Sequence, residues 1–196
     1  AILILFLAGL MALLIRLELV QPAMQFLTLD SYNHVMGIHG IVMIASILVG
    51  IAGMANYLVP LLVGAEDMVF PRLNALSFWL VPPAAILVLL SLFTGGFDTG
   101  WTGYPPLGVQ APLGAQFFYS GVFVLGLSSI LGSINFILTI LKLRAPGMSL
   151  FRMPILAWTI LATSIIQLIA TQFIAMAFMM VVAERLIGLG FFDPAR

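Results

Sequence analysis

The sequence predicts an all-α protein, a polytopic bundle of transmembrane helices. Hydrophobic residues make up 63% of the chain and charged residues 7%, far from the composition of soluble domains. The mean hydropathy is +1.22. The apolar residues also fall into five long runs, each close to the roughly 20 residues that a helix needs to cross a bilayer. Segments rich in proline, glycine and charge separate these runs, and the helices should end there.

We interpret residues 1–196 as a single transmembrane domain. The five predicted spans cover about 1–15, 35–62, 74–95, 116–141 and 154–182. If the first helix runs from inside to outside, the inner loops carry four basic residues and the outer segments three, a small excess that favours this orientation. Both ends look cut, because the chain begins within an apolar run and stops in a turn-like stretch, so we expect a longer protein.

Charge and cysteine content exclude several classes of function. Seven Lys+Arg residues balance seven Asp+Glu residues, so the composition gives no sign of nucleic-acid binding. The chain has no cysteine, which excludes disulfides, thiolate metal sites and covalent c-type haem attachment.

His39 is the most informative single residue, because it lies in the middle of an apolar run. An ionisable group at that depth is expensive, so a functional partner is expected. Gly37 and Gly40 leave room beside the imidazole for a broad, flat group such as a haem. Position 39 also shares a helix face with Ser46 and Gly50, so the histidine should face protein. The alternative is a buried histidine bonded to a neighbouring helix, whereas His34, nearer the water boundary, is interpreted as an interfacial residue.

Polar residues recur along faces of the fourth and fifth helices. They are Ser128, Ser129, Gly132, Ser133, Asn135 and Thr139, then Thr159, Thr163, Gln167 and Thr171. Such stripes indicate either hydrogen bonds between helices or a wet path through the membrane.

Several sequence blocks, in the correct order along the chain, resemble subunit I of the haem-copper terminal oxidases of the cytochrome c oxidase type. The blocks are Leu14-Ile-Arg-Leu-Glu-Leu19, Tyr32-Asn33, His39, Asn56-Tyr-Leu-Val-Pro60, Gly64-Ala-Glu-Asp-Met-Val-Phe-Pro-Arg72, Asp98-Thr-Gly-Trp-Thr-Gly-Tyr-Pro-Pro-Leu107, Ser128-Ser-Ile-Leu-Gly132, Ile134-Asn-Phe136, Leu143-Arg-Ala-Pro-Gly-Met148 and Phe191-Phe-Asp-Pro194. The resemblance implies that the chain is the N-terminal part of a subunit of roughly twelve helices.

The resemblance implies a binding site for a low-spin haem. His39 matches one of its two axial ligands, and Arg16 matches an arginine that bonds the formyl group of haem a. Trp101 and Tyr104 match an outer loop near the haem propionates. By position alone, Arg16 could instead be a snorkelling side chain, and the two aromatic residues could be interfacial anchors.

A proton pathway is the second implied feature. Asp67 matches its inner mouth, where a carboxylate collects protons, and polar side chains behind it order a chain of water. The implied path residues are Asn56, Asn74, Ser128, Ser129 and Asn135. The alternatives are a solvated charge at Asp67 that pairs with Arg72, and ordinary interhelical hydrogen bonds for the others. Positions 39 and 56 are roughly 25 Å apart along a helix, so haem and proton uptake should lie towards opposite membrane faces.

A third implied site is peripheral. Glu18 and Gln21 match a Ca²⁺ or Na⁺ site near the outer surface of some members, although two oxygen ligands do not make a cage.

The chain contains only two histidines, so it cannot by itself supply the second low-spin ligand, the high-spin haem ligand and the ligands of copper B. The complete subunit is expected to carry these, to associate with other subunits including a copper-bearing subunit II, and to reduce oxygen with cytochrome c as donor. It would lie in the bacterial cytoplasmic or mitochondrial inner membrane. The alternatives are a quinol oxidase of the same family, a non-catalytic scaffold or assembly subunit, and a channel or transporter.

Overall fold

The structure, a computed structural model, describes residues 1–96 and 99–192, and within these residues the regular elements are helical. They are α1 (Ile2–Glu18), α2 (Leu29–Val63), α3 (Pro71–Phe93), α4 (Leu107–Gln110), α5 (Leu113–Lys142), a 3₁₀ turn (Leu150–Arg152) and α6 (Ile155–Ile187). The predicted all-α class is confirmed. Asp98, Asp193 and Pro194, which belong to two of the quoted motifs, lie outside the described residues.

Four helices in the described part of the chain, α2, α3, α5 and α6, are long and apolar enough to cross a membrane. The predicted first span is also helical, but α1 has 17 residues, at the lower limit for a 30 Å hydrocarbon core. The short helix α4 lies in a segment where the sequence predicted no helix.

The helices extend beyond the apolar runs from which they were predicted. Helix α2 begins six residues earlier than expected, because Thr28 caps it: the Thr28 hydroxyl oxygen accepts the backbone N–H of Ser31 at 3.2 Å. Asp30 in its first turn adds a favourable interaction with the helix dipole. Helix α6 similarly continues to Ile187, with Arg185 in its last turn.

The chain forms two compact units, of which the first contains residues 1–51, 89–118 and the stretch from Met180. Here Gly114, near the start of α5, lies against the backbone that follows α3. A Cβ atom at position 114 would lie 2.5 Å from the Ser91 carbonyl oxygen and 2.6 Å from that of Gly96. Only glycine allows this approach, which fixes the base of the loop that carries Trp101.

Two buried glutamates in this unit hold turns that follow helices. The Glu18 carboxylate accepts the backbone N–H groups of Gln25, Phe26 and Leu27 at 2.8–3.1 Å. The Glu184 carboxylate accepts those of Phe191 and Phe192 at 3.0 and 2.7 Å. In each case the carboxylate satisfies N–H groups that would otherwise lack partners beside the membrane core.

The turn held by Glu18 should depend on pH. The N–H of Gln25, followed by those of Phe26 and Leu27, holds the pKa of the Glu18 carboxyl below its ordinary value of 4.5, against the opposing effect of burial. The ionised form therefore stabilises the turn above that ordinary value, and this contribution is lost as the pH falls through the lower, folded pKa. We expect protection of the amides of residues 25–27 from hydrogen exchange to stay constant above pH 4.5 and to drop as the pH falls below that value. In Glu18→Gln protein, the protection should be weaker and should not change with pH. Equal pH dependence in both proteins would contradict this account.

The second unit contains residues 52–88 and 119–179. Its apolar core joins α2, the turn before α3, α5 and α6. The buried members are Ala55, Val59, Val63, Met68, Phe136, Ile140, Met153, Ala157 and Leu161. At the end of α2 the chain turns at Gly64, whose φ is +73°, and the Ala145 N–H donates to the last helical carbonyl of α2, that of Val63, at 2.8 Å.

Candidate functional site

His39 lies on α2, partly buried, with its ring fixed by α1. Its Nδ1 atom is 2.9 Å from the backbone carbonyl oxygen of Ala8, a residue with no solvent exposure. A carbonyl oxygen only accepts hydrogen bonds, so Nδ1 carries the proton and Nε2 of the neutral ring keeps its lone pair. This is the arrangement of a metal-ligating histidine, in which a bond at one nitrogen orients the other towards the metal.

Trp101 lies against Gly40, the residue that follows this histidine on α2. A Cβ atom at Gly40 would be 3.3 Å from Cδ1 of Trp101, so the indole is close to the α2 backbone next to His39. The indole is not enclosed by the described residues, since Trp101 is 47% exposed. Tyr104, three residues further on, is 73% exposed and is not brought into this cluster by any contact that the structure describes.

Arg16 lies in the last turn of α1, eight residues after the Ala8 carbonyl that holds His39. It is exposed, and within residues 1–96 and 99–192 no hydrogen bond or ion pair engages its guanidinium. The five N–H donors of the side chain are therefore available to an acceptor.

The predicted peripheral cation site is not assembled by the described residues. Both Glu18 oxygens accept backbone N–H groups, and the Gln21 side chain is exposed. Across the described residues, no group of three or more His, Cys, Asp or Glu side chains could hold a metal ion. The Ca²⁺ or Na⁺ site stays a prediction.

Asp67 lies exposed in the turn between α2 and α3. Its Oδ1 atom accepts the N–H of Met68 at 2.6 Å, and Met68 itself is buried. The described structure contains no ion pair between Asp67 and Arg72. The Asp67 carboxylate is therefore exposed and unpaired within the described residues.

The backbone after Asp67 is held by two side chains of α5. The N–H of Val69 donates to the Thr139 hydroxyl at 3.0 Å. Phe70 donates its N–H to Oδ1 of Asn135 at 3.0 Å and accepts from Nδ2 of the same side chain at 3.2 Å. Both α5 residues have no solvent exposure. Asn135, predicted as a path residue, thus bonds backbone in this structure.

A second set of polar contacts links α3 to α5. The Ser128 hydroxyl donates to the Ser77 carbonyl at 2.6 Å, and the Ser77 hydroxyl donates to the Asn74 carbonyl at 2.8 Å. Both bonds end on backbone carbonyls, so Ser128 is linked to the backbone of α3 at Ser77, and Ser77 to that at Asn74. The sequence analysis did not predict a role for Ser77. Its spacing of three from Asn74, on the same helix face, was the available signal.

Asn56 has an unusual environment on α2. Its amide nitrogen donates to the Ala52 carbonyl at 3.0 Å, but its Oδ1 atom is buried and has no hydrogen-bond partner in the described structure. A buried carbonyl oxygen of this kind needs a donor, and water is the usual one. For Ser129, the structure describes no specific hydrogen bond.

Comparison with known proteins shows the family to which the chain is related. Residues 1–196 match the family described as Cytochrome C and Quinol oxidase polypeptide I. Cytochrome c oxidase subunit 1 of Synechocystis sp. is 44% identical over 191 residues, covering 96% of this chain and 35% of the relative. The same subunit of Thermostichus vulcanus is 43% identical, covering 95% and 34%. A probable cytochrome c oxidase subunit 1-beta of Nocardia farcinica is also 43% identical, covering 95% and 33%.

The chain is an integral membrane protein, with four helices in its described part that are long and apolar enough to span a membrane. It belongs to the Cytochrome C and Quinol oxidase polypeptide I family, whose members use haem and copper and work with other oxidase subunits in the membrane. It spans about a third of the length of the relatives it matches.

Proposed function

We propose that the chain is the N-terminal part of subunit I of a cytochrome c oxidase. The complete protein oxidises cytochrome c, reduces oxygen to water and moves protons across the bacterial cytoplasmic membrane. The observation that carries the proposal is the bond between His39 Nδ1 and the Ala8 carbonyl, which leaves Nε2 as a ligand nitrogen inside a membrane-length helix.

The residues of the first unit suit a low-spin haem, and we propose haem a. When bound, the haem supplies a one-electron carrier between the donor and the oxygen-reducing centre. His39 would hold the haem iron through Nε2, Gly40 and Trp101 would lie beside the haem, and Tyr104 would approach it from the same loop. Arg16, whose guanidinium is unengaged within the described residues, would donate to the formyl oxygen. We propose that residues 1–196 form a single transmembrane domain. The rest of the complete subunit would supply the second axial ligand and the ligands of the high-spin haem and copper B. The subunit would associate with a copper-bearing subunit II.

The second unit supports proton uptake from the inner side. Asp67 exchanges protons with bulk water, and the path continues past Asn74, Ser128 and Ser129. The buried, unpartnered Oδ1 of Asn56 supports the proposal, because it favours a bound water at this level. Asn135 lies beside the same path, and its bonds to the Phe70 backbone hold the turn that carries Asp67.

Spectroscopy and turnover of the complete protein test this function. Its reduced-minus-oxidised visible spectrum should show a low-spin haem, and the protein should consume oxygen with reduced cytochrome c. Turnover with a quinol alone would instead identify a quinol oxidase. A haem-free protein would indicate a channel or transporter, and a haem-binding protein without oxygen turnover would indicate a scaffold.

Arg16→Met should shift the visible band of the low-spin haem to the blue. A guanidinium bonded to the formyl oxygen polarises the conjugated ring, and methionine removes that charge-assisted bond while keeping an extended side chain. Iron ligation should persist. Arg185→Met, which changes an exposed arginine in the last turn of α6, is the matched control and should leave the band in place. An unshifted band in Arg16→Met would assign Arg16 to snorkelling at the helix end.

A further inference from the structure

The turn that carries Asp67 owes its conformation to α5. Three successive N–H groups follow the carboxylate, and each has a side-chain acceptor. That of Met68 donates to Asp67 itself, that of Val69 to Thr139 and that of Phe70 to Asn135. Because α3 begins at the next residue, Pro71, these bonds determine how the chain passes from the exposed carboxylate to the helix.

Thr139 has no spare proton to pass on. Its hydroxyl accepts from Val69 and donates its single hydrogen to the Asn135 carbonyl at 2.7 Å, and the side chain has no solvent exposure. Because the one hydrogen of this hydroxyl is engaged by a backbone carbonyl, Thr139 does not donate to a water chain in this conformation. Its bonds instead hold two backbone groups in place.

We propose that Thr139 is a positioning residue for proton uptake at Asp67, acting through the backbone N–H of Val69. This inference rests on the proposed role of Asp67 as the proton-collecting group. By fixing the backbone of Val69, Thr139 keeps Met68 in the apolar core and the neighbouring carboxylate in water. Loss of the hydroxyl leaves the Val69 N–H buried without an acceptor, so the turn rearranges to find one.

Thr139→Val tests this in the complete oxidase, because valine keeps the shape of threonine but has no hydroxyl. Oxygen turnover at neutral pH should fall about fivefold or more, the factor expected from one lost hydrogen bond. Slower proton capture becomes limiting while the proton activity is still higher, so the decline of turnover with rising pH should begin at a lower pH than in the wild type. Thr139→Ser, which restores the hydroxyl, should recover both the rate and the pH profile.

Controls separate positioning from general damage. Thr94→Val removes a hydroxyl that donates to the Leu90 carbonyl at 2.9 Å, four residues earlier in the chain, and should behave as the wild type. The low-spin haem spectrum should be unchanged in every variant, which shows that the protein has folded. If Thr139→Val loses that spectrum, Thr139→Ala is compared with Thr139→Ser instead. Thr139→Ala should show the lower turnover and the shifted pH profile, and Thr139→Ser should show neither.

Asp67→Asn, measured alongside, distinguishes the two proposals. Reduced turnover in Asp67→Asn together with wild-type rate and pH profile in Thr139→Val would overturn the positioning role alone. Wild-type behaviour of Asp67→Asn would overturn proton uptake at Asp67, and the role of Thr139 with it.

Discussion

Replacing His39 with leucine in the complete protein is expected to abolish the low-spin haem signal in the reduced-minus-oxidised spectrum. Leucine has similar bulk but no ligand nitrogen, and haem iron that loses an axial imidazole no longer remains six-coordinate and low-spin. Electron transfer from cytochrome c should stop as well, because this haem is its proposed carrier. The effect should be close to complete, since the chain offers no second histidine near Ala8.

His34→Gln is the matched control for this experiment. His34 lies five residues earlier on the same helix, where its ring packs against Gly96, whereas the Ala8 carbonyl bonds to His39. The low-spin signal should survive this change. A spectrum unchanged in His39→Leu would contradict the ligand role, and loss of the signal in both variants would indicate general damage to the first unit.

Asp67→Asn is expected to reduce oxygen turnover and proton pumping strongly while leaving the haem spectrum intact. Asparagine has the size of aspartate and keeps a carbonyl oxygen that can accept the Met68 N–H, so the turn should persist. It has no titratable group, so proton delivery from bulk water into the path should become slow. Turnover and proton stoichiometry in reconstituted vesicles measure the effect.

The neighbouring Glu66→Gln distinguishes this role from a general effect of surface charge. Both carboxylates are exposed in the same turn, but the structure gives Glu66 no contact with the segment that α5 holds. An exposed charge of that kind contributes only about 0–1 kcal/mol to stability, so Glu66→Gln should retain wild-type turnover. Equal losses in both variants, or none in either, would contradict proton uptake at Asp67.

The sequence was sufficient to predict the helices, because hydropathy and length determine them directly. The residues at which individual helices begin and end were less predictable. The Thr28 cap moved the start of α2 into polar residues, and α4 is too short to produce a periodic pattern. The haem prediction depended on a histidine inside an apolar run. Such a residue indicates a functional site because an ionisable side chain is costly within a bilayer.

The partners of these residues could not be predicted in the same way. The bond from His39 to Ala8 joins a side chain to a backbone carbonyl 31 residues away, and backbone carbonyls carry no sequence signal. The same limitation applies to Asn135. Its spacing indicated a polar stripe, which either a proton path or helix contacts would explain, and only the coordinates revealed its bonds to Phe70. Glu18 suggested a cation ligand, whereas its oxygens bind backbone donors.

The most direct test of this account is an experimental structure of the complete subunit with its haem. The account predicts that His39 Nε2 ligates the low-spin haem iron while Nδ1 remains bonded to the Ala8 carbonyl oxygen, with Trp101 beside Gly40 at the edge of the haem. A low-spin haem ligated by other residues, with His39 away from the iron, would contradict it.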